Sequence, residues 1–62
     1  MRTVIGRIEH MRKSLDKLEM LYRLHVMDDE SPYYDPKNDD MLGEAESIDW
    51  YASQLYSEME AL

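Results

Sequence analysis

Residues 4–25 read VIGRIEHMRKSLDKLEMLYRLH, and this stretch decides the fold. Val4, Ile8, Met11, Leu15, Leu18, Tyr22 and His25 follow one another by alternating steps of four and three. At about 100° per residue that spacing draws one stripe along a helix, and a stripe needs a partner to cover it. The partner is further down the chain. Met41, Ala45, Ile48, Ala52, Leu55, Met59 and Leu62 keep the same rhythm. The reading is all-α: an antiparallel two-helix hairpin in a single domain, residues 1–62, dimerising into a four-helix bundle.

The first helix is expected over about residues 3–27, with Thr3 as N-cap. Its interior has no proline, and Gly6 is its one weak helix former. Glu9→Lys13 and Glu19→Arg23 are i,i+4 pairs in the favourable order. An acidic connector occupies residues 28–40, and Pro32 and Pro36 within it keep the helix from continuing. Asp35-Pro36 can open a helix early; otherwise Asp39 or Asp40 caps one over about residues 41–62. Tyr33 and Tyr34 are expected to fold down onto Leu24 and Met27.

Charge is divided between the halves. The chain carries a net charge of -7. Residues 1–27 hold six basic and three acidic side chains, a net +3, whereas residues 28–62 hold eleven acidic ones and Lys37, a net -10. The second helix has no lysine or arginine after residue 37, so its counter-charges must come from elsewhere. In an antiparallel hairpin Arg7 is expected beside Glu58, Arg12 beside Tyr56 or Glu60, and Arg23 beside Asp49.

A hairpin of 62 residues buries little, and without cysteine no disulfide can compensate. Chains this small gain stability from a second subunit. Met20, Leu21, Leu24 and Met27 lie off the main stripe. The reverse face of the second helix is small-sided, with Ser47 and one tryptophan, Trp50. Together these residues form the expected dimer interface. In length and layout, though through no sequence motif, the chain resembles the small RNA-binding helical hairpins of the Rop type.

Catalysis and metal binding find no support in the residues. His10 and His25 are fifteen positions apart, about 22 Å along a helix. No glycine-rich phosphate loop or nucleophile elbow is present. Glu46-x-x-Asp49 resembles the magnesium motif of all-α pyrophosphohydrolases, but the first helix offers only scattered carboxylates. An alignment of residues 35–46 with a calcium loop fails at Lys37 and Asp40. The expectation is therefore no enzyme, no cofactor and no metal. No apolar run approaches the roughly 20 residues of a membrane span, and the first residues lack a secretory core, so a cytoplasmic protein is expected.

Protein binding is where the features converge. Asp28, Asp29, Glu30, Tyr33 and Tyr34 in the connector, with Glu44, Glu46 and Asp49 on the second helix, form an acidic, aromatic surface suited to a basic groove. The function expected is a small regulator or inhibitor of a nucleic-acid-processing protein, of the kind that phages and mobile elements encode. The competing reading is an RNA- or DNA-binding hairpin dimer that uses Arg12, Lys13, Lys17 and Arg23 of the first helix. A structural or assembly adaptor is the third.

Overall fold

The computed structural model describes residues 2–62, and side chains from residue 4 onward. Two helices, α1 (Arg2–His25) and α2 (Asp39–Glu60), pack side by side. Ion pairs between Arg7 and Glu58 and between Lys17 and Glu44 show that they run antiparallel. The hairpin measures 48 × 15 × 13 Å, a rod one helix thick and two helices wide. Helix α1 is already helical at Arg2, ahead of the expected cap, and the side chain of Thr3 lies outside the described residues.

The seam between the helices is rotated from the expected stripe. On α1 it follows Val4, Arg7, Met11, Ser14, Leu18, Leu21 and His25, with Ile8 at its border. Ser14 is only 6% exposed, while its neighbour Leu15 is 49% exposed and Tyr22 is 51% exposed. On α2 the seam follows Met41, Glu44, Ile48, Tyr51, Leu55 and Glu58, and Ala45, Ala52, Met59 and Leu62 are exposed. Both rows alternate three and four, but each is shifted by about one residue at alternate turns from the expected row. The reason is width. The apolar arc of α1 spans more of the helix than one partner can cover, so α2 takes one half and leaves Leu15 and Tyr22 outside. A short side chain at Ser14 suits the middle of a tight crossing, where interaxial distance depends on what lies between the helices.

The connector is held mainly by its own turns. Asp28 Oδ1 accepts from the Glu30 amide, and Ser31 Oγ accepts from the Tyr33 amide. Amides of Ser31, Tyr34 and Asn38 donate to the carbonyls of Asp28, Ser31 and Asp35. Two bonds tie it to the end of α1: the Asp35 amide donates to the His25 carbonyl at 2.8 Å, and His25 Nδ1 donates to the Tyr33 carbonyl at 2.7 Å. These satisfy groups that a helix end would otherwise leave open. The two tyrosines do not fold onto Leu24 and Met27; all four side chains are exposed. His25, at the end of the seam, thus works as a clamp on the connector.

Helix α2 is capped by Asn38, two residues before the expected start. Its Oδ1 accepts from the amides of Asp40 and Met41, and its Nδ2 donates to Asp35. Asp39 and Asp40 occupy the first turn, where the exposed amides favour negative charge. Met41 then turns inward and is 7% exposed, the one apolar residue that the hairpin buries among those described. Removing the capping oxygen should cost about 1 kcal/mol. Asn38→Ala is expected to lower the urea midpoint accordingly, whereas Asn38→Asp, which keeps the acceptor, should stay near the parent value.

Candidate functional site

The rotated seam sorts the remaining side chains onto separate surfaces. His10, Lys13, Ser14 and Lys17 of α1 line an open depression of about 240 Å³ with Glu44 and Ser47 of α2, which gives one broad face of the hairpin a polar stretch beside the exposed Leu24 and Trp50. Lys17 reaches across it to Glu44 at 3.2 Å. His10 stacks on Tyr51 at 4.4 Å, and Tyr51 meets the edge of Trp50 at 4.9 Å. Arg7 lies 5.9 Å from the Trp50 ring and completes a basic, aromatic row.

On the opposite broad face the helical register leaves apolar side chains. Leu15 and Tyr22 occupy the flank of α1 turned away from His10 and Lys17, with Ile8 at its border. Ala45, Ala52 and Met59 occupy the matching flank of α2. All but Ile8 are exposed. Nothing in the hairpin covers this face.

The outer edge of α2, opposite the seam, carries a third surface. Asp39, Leu42, Glu46, Asp49, Ser53, Tyr56 and Glu60 step by three and four and are all exposed. Among the described residues none of its four carboxylates enters an ion pair, in contrast to Glu44 and Glu58, which α1 neutralises. Tyr56 and Leu42 stand among the carboxylates, and the connector acids Asp28, Asp29 and Glu30 are also exposed.

The expected binding residues are therefore split. Glu46 and Asp49 lie together on the outer edge, while Glu44 is turned into the cleft. Tyr33 and Tyr34 are exposed on the connector. Of the residues expected at a dimer interface, Leu21 is drawn into the seam, and Met20, Leu24 and Met27 are exposed toward the connector end of α1. Ser47 lines the polar depression. Trp50 lies at the level of Arg7 and His10, more than a turn from Leu18 and far from Leu21, because the helices are in a different register from the expected one. Arg7 does meet Glu58, but Arg23 pairs with Glu19 on its own helix at 3.5 Å, not with Asp49, and Arg12 makes no ion pair among the described residues. Leu42, Tyr56 and Glu60 were not foreseen on the acidic edge; their seven-residue spacing with Asp39, Glu46 and Asp49 is the signal that points to them.

The described residues contain no group of three histidine, aspartate or glutamate side chains able to hold a metal ion. No described helix is long and apolar enough to cross a membrane. The sequence matches no protein-family model and finds no significant counterpart among characterised proteins, nor does the fold among solved structures.

The strongest polar contact lies beneath Trp50. Arg7 Nε donates to Glu58 Oε1 at 2.9 Å and Nη2 lies 2.9 Å from the same oxygen, with both side chains largely shielded. Charge-assisted bonds of this kind contribute about 1.5–3 kcal/mol, and the partner left behind is costly to keep shielded. Arg7→Ala should therefore destabilise the hairpin by about 2 kcal/mol in urea unfolding. The Arg7→Ala/Glu58→Gln pair should recover part of the loss.

Proposed function

We propose that this chain is a small, non-enzymatic protein-binding module built on a dimeric four-helix bundle, and that it regulates or inhibits a nucleic-acid-processing protein. The observation that carries this reading is the outer edge of α2. Carboxylates at 39, 46, 49 and 60 sit on one rigid row without internal counter-charge, with Leu42 and Tyr56 between them. Rows of negative charge at helical spacing fit a basic groove, and an aromatic side chain among them supplies a contact that solvent-facing acids lack. The exposed connector acids add negative charge, and Tyr33 and Tyr34 add aromatic area.

A groove that accepts such a row is one that otherwise holds a phosphate backbone. The module then acts by occupation: it blocks the groove while bound, and its affinity falls with added salt. Charge steering speeds encounter and selects basic partners, while Tyr56 and Leu42 slow release.

One observation favours the second reading, direct nucleic-acid binding. Arg7, His10, Lys13 and Lys17 share the polar face with Trp50 and Tyr51, which is a basic row with aromatic rings beside it. Stacking and phosphate contact use the same residue types. The two readings use opposite charges on different surfaces, so one pair of variants separates them.

Immobilised parent protein is expected to retain a basic partner from lysate that heparin displaces. Glu46→Lys/Asp49→Lys should lose it, while Lys13→Glu/Lys17→Glu should keep it. Loss only in the lysine variant, together with a low-salt gel shift of RNA or DNA by the parent, would transfer the function to the polar face.

A further inference from the structure

We infer that the uncovered apolar face is the site of self-association, and that a second copy docks on it with α1 of each chain lying on α2 of the other. This rests on the dimeric scaffold of the reading above and specifies its contact. It replaces the Trp50 side of the hairpin with the opposite side.

Area supports a second copy. A compact monomer of 7.4 kDa exposes about 4,200 Å² by the usual scaling of surface with mass. The hairpin exposes 5169 Å². The excess, about 1,000 Å², is close to the roughly 800 Å² that each partner contributes to a standard interface. The radius of gyration agrees: 14.4 Å here, against about 10.6 Å for a compact chain of this length. The uncovered face offers apolar side chains from both helices. Leu15 and Tyr22 run along one side of it and Ala45, Ala52 and Met59 along the other, all exposed. The alanines let a facing helix approach closely, and the large side chains opposite fill the space that approach leaves.

Charge chooses the order of the helices. Residues 2–25 carry a net +3 and residues 39–60 a net -7. A second hairpin can be laid on this face in two ways that keep two-fold symmetry. Rotation about an axis across the helices puts α1 on α1 and α2 on α2, and so places the two acidic helices side by side. Rotation about an axis along the helices puts α1 on the partner's α2, so that basic and acidic helices alternate around the bundle and each is antiparallel to both neighbours. Like-charge juxtaposition is costly and opposite charge favourable, so the second arrangement is selected. It also leaves the carboxylate edge of α2 on the outside of the bundle, twice, available to a partner.

Sedimentation equilibrium and thermal unfolding test the contact. The parent protein should sediment at twice its chain mass and show a Tm that rises with concentration. Leu15→Glu and Ala52→Arg, both at positions exposed in the hairpin, should each weaken self-association at least tenfold. Trp50→Ala should change it less than twofold. A monomer with a concentration-independent Tm overturns the proposal, and so does a dimer weakened by Trp50→Ala but untouched by Leu15→Glu and Ala52→Arg. Order is read from distance. The chain has no cysteine, so Asp29→Cys carries a single spin label on the connector. Alternating helices bring the two connectors to one end of the bundle, about 20–30 Å apart for helices spaced about 10 Å. A distance near the 48 Å length of the hairpin would overturn the order. Glu46→Lys/Asp49→Lys keeps the apolar face. If it remains dimeric while losing the heparin-sensitive partner, the partner surface and the dimer contact are separate; a monomeric parent that still binds the partner would remove the dimer alone.

Discussion

Two helices can share only one seam, and that limit governs the rest of the molecule. A helix in a hairpin has a single neighbour, so side chains more than a quarter-turn from the contact line stay exposed. Here Met41 and Ser14 are the buried residues among those described, and the others on the seam are half-buried at best. Apolar burial at roughly 25 cal/mol per Å² is therefore thin. The compensation is polar and positional: the Arg7–Glu58 contact at one end, the His25 and Asp35 bonds at the other, and the Asn38 cap between connector and α2.

Because the seam is narrow, surplus apolar and charged groups are displaced outward, and they segregate. The side chains α2 cannot cover on α1 align with the alanines and Met59 of α2 into a flat apolar face. The reverse carries His10, Lys13 and Lys17 beside the exposed Leu24 and Trp50. The acids that α1 does not neutralise are left along the outer edge of α2. These three surfaces arise from one rotation of two amphipathic helices about their contact line.

The helices, their approximate limits and their antiparallel pairing were legible in the sequence, since periodicity and the proline-bearing connector require little else. The Arg7–Glu58 contact was legible too, because α2 has no basic residue of its own. The phase of the seam was not. Val4, Met11, Leu18 and His25 belong to both possible rows, and hydrophobicity favours Leu15 over Ser14 but Leu21 over Tyr22, so it points both ways. Apolar preference cannot tell the side that faces the sister helix from the side left over when the apolar arc exceeds one neighbour. The register failed for a related reason. It depends on how compactly residues 26–38 turn, and those turns are made by side-chain bonds of Asp28, Ser31 and Asn38 that pattern reading does not resolve. The expected Arg23–Asp49 pairing failed with it, and Arg23 turns to Glu19 on its own helix.

The grip of Arg7 on Glu58 also joins stretches of chain that lie fifty-one positions apart. Glu58 and Glu60 stand at the negative end of the α2 dipole, with no basic residue in that last turn to offset it. The guanidinium supplied by α1 answers both the carboxylate and the dipole. The final turn of α2 is thus anchored by the opening turns of α1 and not by its own residues. Proteolysis ahead of Arg7 that loosened those turns would unfasten the last turn of α2, although no bond there had been cut.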